Sequence, residues 1–419
     1  MLYRRLPATG EKISALGFGC MRFPRRGVSI DEARSERLLA TAIDYGVNFY
    51  DAAYIYLGCE KALGKGLANL GARGRVKIST KLPIMFVKNK REIEEAFEKQ
   101  LKRLNTEYID FYLAHSLTSY ADLARLIEKG YLDFIESERA RGRILNTGFS
   151  FHGNTHDFRL IADAYPWEIC MIQYNYLDEH YQAGIEGLEY AAAKGIGVVA
   201  MEPLKGGLLG SRMPRAAQRV FEQNCGQSDC KSPAELAMRW IWQHPSVTCL
   251  ISGMGEERFI EDNCRTVFAL GTAAAAAGSS PGSGGGDILM PVALSGAETK
   301  AVESIRKFFD VNLSVPCTSC AYCMPCPNGV DIPTCFYWYN IRKELFSNIH
   351  YIVATEGAVN NRPSKASLCT GCRACEKHCP QNIEISRHMK EAARKLEKAW
   401  LRVPVRMALK SMSNSKKTP

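Results

Sequence analysis

With 419 residues, 46% of them hydrophobic, the chain holds enough apolar material for one large domain and a small one. No apolar run is long enough to cross a bilayer and no cleavable leader is visible, so the sequence predicts a cytoplasmic protein with no transmembrane segment. The net charge of +10 would suit a nucleic-acid binder if it were spread, but from Arg387 onward ten Lys or Arg stand against Glu391 and Glu397 and carry eight of those ten charges. The remainder is almost neutral, so no nucleic acid is expected, and the basic residues read as a solvated tail or a docking arm for an acidic partner.

The first predicted elements are Leu2–Arg5 and Lys12–Ser14, which read as a hairpin plugging the floor of the large domain. Up to about Leu270, β-branched or apolar runs then alternate with longer amphipathic stretches, the pattern of parallel strands joined by helices. Eight strands are predicted, at Ala15–Gly19, Val47–Asp51, Val76–Lys81, Ile109–His115, Ile144–Ser150, Ile169–Tyr174, Gly197–Met201 and Val247–Ser252. Between them lie helices such as Lys90–Leu104, whose Ile93, Ala96, Phe97, Leu101 and Leu104 recur at helical spacing. Eight βα units in about 250 residues predict an α/β fold, a (β/α)8 TIM barrel. A doubly wound sheet is the alternative, but it asks for a GxGxxG turn after its first strand, where this chain reads ALGFGCMRF.

In such a barrel the chemistry sits at the carboxyl ends of the strands. Asp51 ends the second predicted strand, Tyr56 follows in its loop, Lys81 ends the third and His115 the fourth. A buried Lys81 ammonium beside a phenol favours the phenolate, Asp51 keeps that lysine charged, and His115 can orient a substrate oxygen. Singly each has a plainer reading, as a helix cap, a satisfied half-buried side chain or a solvated lysine; together, on consecutive strands, they read as a catalytic set.

Beyond the barrel, Thr272–Asp287 (TAAAAAGSSPGSGGGD) is too small and glycine-rich to pack and reads as a linker. A helix is predicted from Ser295, with Glu298 completing a capping box. The predicted plan is a barrel over 1–270, a flexible linker over 271–294, a mainly helical ferredoxin-like iron–sulfur domain over 295–400 and a basic tail over 401–419.

Eight of the sixteen cysteines fall in two runs, Cys317, Cys320, Cys323 and Cys326, then Cys369, Cys372, Cys375 and Cys379, each closed by proline. The second has the CxxCxxCxxxCP spacing of bacterial ferredoxins, and CPNGVDI after the first is answered by CPQNIEI after the second, so two [4Fe–4S] clusters are predicted. One structural zinc would leave four of these thiols unexplained, and a disulfide framework suits a short chain in an oxidising compartment. In two-cluster ferredoxins the last cysteine of each run serves the other run's cluster, which would group Cys317, Cys320 and Cys323 with Cys379, and Cys369, Cys372 and Cys375 with Cys326. The first run has two residues rather than three before its last cysteine, so uncrossed pairing stays open. Cys335 reads as a buried small hydrophobe, and Cys225 and Cys230 (NCGQSDC) as part of a polar surface loop. Phe336, Tyr337, Trp338, Tyr339, Phe346 and Tyr351 read as the wall that keeps water from the clusters.

The segments DAAYIY, STKL and FYLAH resemble those of the aldo/keto reductase family, and the resemblance runs from about Leu2 to Asn263 through GFS, QYN, EPLKGG and ISGM. CMPCPNGVDIP resembles the branch of that family with a C-terminal iron–sulfur domain. The resemblance implies hydride transfer between a nicotinamide cofactor, NAD(P)H, and a small-molecule carbonyl or alcohol, with Tyr56 as the acid. It implies cofactor contacts from Gly19, Met21, Ser150, Gln173, Met201, Pro203, Leu204, Gly206, Ser252, Gly253, Met254 and Asn263. The chain departs from the family at three places: Met201 stands where an aromatic residue usually stacks on the nicotinamide, Phe151 and His152 replace an asparagine after Ser150, and Gly253 and Phe259 stand where cations often clamp the 2′-phosphate of NADPH. NADPH preference is therefore not supported, and a flavin can bind such a barrel without a diagnostic string. The leading expectation is an oxidoreductase exchanging electrons through its clusters, directly or with a redox partner protein. The alternatives are a plain carbonyl reductase with structural clusters and a non-catalytic electron-relay subunit.

Overall fold

The computed structural model describes residues 1–398 except 28, 227, 277–290, 292, 319, 341–346 and 357–362. The basic tail, Phe346 and most of the predicted linker lie outside the described residues. The chain groups into two compact units: Met1–Leu204 with Ala234–Ser295, and Lys205–Pro233 with the residues from Gly296 onward.

The first unit is a closed barrel of eight parallel strands, β1 (Leu16–Gly19), β2 (Phe49–Asp51), β3 (Lys77–Leu82), β4 (Ile109–Leu117), β5 (Ile144–Phe151), β6 (Ile169–Gln173), β7 (Gly197–Met201) and β8 (Val247–Ser252), each paired with the next and β8 with β1. Helices α1 (Glu32–Asp44), α2 (Cys59–Asn69), α3 (Lys90–Leu104), α4 (Tyr120–Glu128), α5 (Tyr131–Ala140), α6 (Thr155–Asp163) and α7 (Gly184–Ala193) follow the first six strands. The (β/α)8 fold expected from the alternation is the one observed, and α3 has the bounds read from its apolar spacing, capped by Asn89, whose side chain accepts from Glu92 N–H at 3.0 Å.

Side-chain alternation fills the barrel. Phe49, Phe111, Leu113, Ile169, Met171, Val199 and Cys249 point inward and are fully buried, together with Leu6 and Ile13 of the N-terminal hairpin, whose strands Tyr3–Arg5 and Lys12–Ser14 pair antiparallel. Continuing that parity to the strand ends turns Asp51, Lys81, His115, Gln173 and Met201 toward the same mouth. Two boundaries differ by two residues from the sequence reading, and the others by one or none. Val47 is no part of β2, because its N–H closes α1 on Ala42 O at 3.0 Å. Strand β4 runs past His115 to Leu117 through a bulge, where the register against β5 shifts and Ser116 takes a φ of 58°.

The inserted segment Lys205–Pro233 carries α8 (Arg215–Cys225), and the chain returns to the barrel with α9 (Pro233–Trp242) and α10 (Glu257–Ala276). In the second unit α8 packs on α11 (Gly296–Asn312), and α12 (Ile332–Asn340), α13 (Ser347–Thr355) and α14 (Ile385–Leu396) enclose a core that includes Val330, Cys335, Phe336, Tyr339, Tyr351, Met389 and Leu396. Gly206 is the one residue type that fits its place, since a Cβ there would lie 2.1 Å from the Thr318 carbonyl oxygen and its φ is 65°. Cys225 and Cys230, expected on a polar surface loop, are buried instead, Cys225 because it ends the helix face that meets α11. Among the described residues no helix is long and apolar enough to cross a membrane.

Candidate active site and cluster-binding region

Lys81 is the centre of the barrel mouth. Its side chain is 1% exposed, and its Nζ donates to Asp51 Oδ1 at 2.5 Å and to Ala52 O at 2.8 Å. Register brings the pair together, because Asp51 stands opposite Ser79 on β3, two residues before Lys81 on the same inward face. The loop after β2 folds Tyr56 back over them, Tyr56 N–H bonding Ala53 O at 3.0 Å and Cys59 N–H bonding Tyr56 O at 2.9 Å. The half-buried Tyr56 ring lies 5.4 Å from Lys81 Nζ and meets the His115 ring edge-on, at 5.9 Å between centroids and 84° between planes. All four residues predicted as the catalytic set thus converge in one place.

Burial sets the electrostatics. It pushes the Asp51 carboxyl above its usual range, with the Lys81 ammonium pulling the other way. It drives the His115 imidazole well below its ordinary value, and the charge of Lys81 and the neighbouring His152 add to that, so His115 is neutral and carries a single N–H. Cys20, just after β1, is also fully buried; burial, then the adjacent Cys59, hold its thiol well above the usual range, so it is inert packing at the pocket wall.

The residues assigned to cofactor contact fall on the strand ends and loops of this mouth, with one exception. Gly19 ends β1 and Met21 lies in the turn Cys20–Arg22. Ser150 Oγ accepts from Ser116 N–H at 2.7 Å, and Gln173 Nε2 is fixed on Asp178 Oδ2 at 2.7 Å. Met201 ends β7 opposite Gln173, and Pro203 and Leu204 follow it. Ser252 ends β8 and accepts from Asn263 Nδ2 at 3.3 Å, with Gly253 and Met254 next in the chain. Gly206 is the exception, packed in the second unit against Thr318. Two of these glycines are needed for close packing at the mouth: a Cβ on Gly19 would crowd Ser252 O at 3.3 Å and one on Gly253 would strike the Arg22 side chain at 2.4 Å. Sequence reading sought cations only after the eighth strand, yet Arg22 lies over Gly253 and Arg34 Nη2 donates to Gly255 O at 3.2 Å. Residues 221 apart give no spacing signal for this.

In the second unit Cys326 lines one cleft with Cys369, Cys372 and Cys375, floored by Val330, Ile385 and Met389. The Cys323 thiol is pushed up by burial and by the nearby Cys320, Cys317 and Cys379. Each neighbourhood thus draws three cysteines from one run and one from the other, although among the described residues no three of these side chains are drawn together closely enough to hold a single metal ion. Asn328 Nδ2 approaches Cys372 Sγ at 3.9 Å. Cys335 stands apart, buried, with Sγ 3.9 Å from Tyr351 OH, as expected of a packing residue.

Comparison with known proteins finds that the model of the aldo/keto reductase family matches residues 15–276 and that of the 4Fe-4S dicluster domain residues 316–384. An uncharacterized oxidoreductase of Bacillus subtilis is 28% identical over 306 residues, covering 64% of this chain and 91% of its own. L-galactose dehydrogenase of Arabidopsis thaliana is 27% identical, covering 64% and 88%, and a probable voltage-gated potassium channel subunit beta of the same plant is 25% identical, covering 64% and 91%. Among solved structures, the holo form of an aldo-keto reductase from Bacillus halodurans shares the fold with a TM-score of 0.58 at 23% identity, covering 73% of this chain and 96% of that one.

Proposed function

Since the chain belongs to the aldo/keto reductase family, and is on that footing an oxidoreductase with a 4Fe-4S domain, we propose that it interconverts a carbonyl and an alcohol at Tyr56, Lys81, Asp51 and His115 and exchanges electrons through two [4Fe–4S] clusters. The observation that carries the first half is the buried Lys81–Asp51 pair beside the Tyr56 ring. Relatives' names range from a dehydrogenase to channel subunits, so the reading rests on these side chains and not on those names.

A bound nicotinamide would supply or accept the hydride; the fixed Gln173 amide and the Ser150 hydroxyl are the polar groups that would hold its carboxamide. Asp51 is the buried counter-ion of Lys81, and the ammonium 5.4 Å from the phenol ring suits Tyr56 as the group that gives its proton to a carbonyl oxygen as the carbon is reduced. Neutral His115 donates its N–H to the same oxygen and leaves the proton transfer to Tyr56. In the second unit the grouped thiols fit crossed ligation, Cys317, Cys320, Cys323 and Cys379 for one cluster and Cys326, Cys369, Cys372 and Cys375 for the other. Clusters move single electrons and hydride donors move pairs, so a flavin or similar relay would show in the spectrum.

Anaerobic purification followed by absorption spectra and iron analysis tests both halves. About eight irons per chain, bleaching on NADH addition, and a Tyr56→Phe variant that binds NADH yet loses at least about 100-fold in kcat are the expected results. Undiminished turnover in Tyr56→Phe would refute the site, and an iron-free colourless protein would refute the clusters.

A further inference from the structure

His152 takes no part in the proton and hydride steps, yet it stands at the same mouth. Along β5, Phe149 and Phe151 turn outward onto Phe158 of α6, with ring separations of 5.6 and 5.4 Å, so alternation sends Ser150 and His152 inward. The backbone is pinned to the strand that carries His115, His152 N–H donating to Leu117 O at 2.8 Å just beyond the β4 bulge.

The ring's tautomer follows from its partner. His152 is 7% exposed, and its Nδ1 lies 3.3 Å from Gln182 Oε1, the only side-chain hydrogen bond it makes among the described residues. With the amide oxygen accepting, Nδ1 holds the hydrogen and Nε2 keeps a lone pair. Burial pushes this imidazole down to about 4, with the Gln182 bond opposing, so near neutral pH Nε2 is an uncharged acceptor. Such an atom attracts a hydroxyl hydrogen and gains nothing from a carboxylate or phosphate.

We propose that His152 is a specificity residue whose Nε2 accepts a hydrogen bond from a hydroxyl on the carbon next to the reacting carbonyl, so that the site takes 2-hydroxy aldehydes and ketones over their deoxy counterparts. This rests on the reading of Tyr56 and His115 as the groups that face the carbonyl oxygen. For this, the carbon next to the carbonyl must turn toward the end of β5, the strand paired with β4, which His152 directly follows.

The test compares kcat/KM for lactaldehyde and propanal, which differ by one hydroxyl, using the full-length protein and NADH under anaerobic conditions. Wild type is expected to favour lactaldehyde by about 10-fold or more. His152→Leu should erase that ratio by lowering lactaldehyde turnover alone, and His152→Asn, which keeps an acceptor oxygen, should restore part of it, with NADH affinity by fluorescence unchanged in both. An equal fall for both aldehydes, or weakened NADH binding with an unaltered ratio, overturns the assignment. Tyr56→Phe separates the two levels: turnover that survives it, or a wild type that reduces neither aldehyde, removes the underlying site reading and this assignment with it. Turnover that needs Tyr56 but ignores His152 removes this assignment alone.

Discussion

Lys81 and Asp51 show what a single buried pair demands of its surroundings. Removing one partner strands a charge out of water, so Lys81→Met should cost about 3–5 kcal/mol in urea unfolding, while Lys81→Met with Asp51→Leu should recover part of that loss. His152 makes a second residue-scale expectation with a definite sign. Unfolded, its imidazole takes a proton below its ordinary 6.5; folded, it resists until about 4. The unfolded state thus binds more protons in that window, and His152 adds about 3 kcal/mol to whatever the barrel loses as pH falls from 6.5 to 4, with His115 acting in the same direction; His152→Leu should remove only its own share, read from melts at several pH values. Asp51, Lys81 and His115 were legible in the sequence because each closes a predicted strand, and Tyr56 because it follows in the loop after Asp51. The setting of His152 was not, because it depends on Gln182 in a later loop and on a bulge that spacing does not announce.

Among the secondary-structure elements, parity does the positioning. One residue of slip in β2 or β3 would turn Asp51 or Lys81 into the helical layer, and the packed interior of Phe49, Phe111 and Leu113 forbids it. Gly148 tests this: a Cβ there would lie 2.2 Å from Ile169 O on β6, so Gly148→Ala should destabilise the barrel by about 3 kcal/mol. Gly195→Ala, with open space around it and a φ of 72°, should cost only about 1 kcal/mol. The eight strands, the hairpin plug and α3 could all be read from hydrophobic period. The end of β2 could be read as well, but its start could not, because Val47 looks like a strand residue and is claimed by the end of α1.

For the molecule as a whole, the cysteine runs were the plainest sequence signal, since thiolates at that density have few other uses. Their thiols pack against the core of the second unit, Cys317, Cys323, Cys326, Cys369, Cys375 and Cys379 all touching it, so iron should support folding there. Chelating the iron is expected to speed hydrogen exchange through 296–398 and through 205–233 while the eight barrel strands keep their protection. The membership of 205–233 in that unit was invisible to pattern reading, because α8 has the amphipathic spacing of any barrel helix and nothing local says that its apolar face meets α11. That membership has a practical corollary. A protease site engineered between 277 and 290 would cleave the backbone without releasing a free iron–sulfur fragment, because the larger piece still carries α8 as the clasp for α11. The cluster-bearing half therefore cannot be lifted out, or traded between proteins, with one snip.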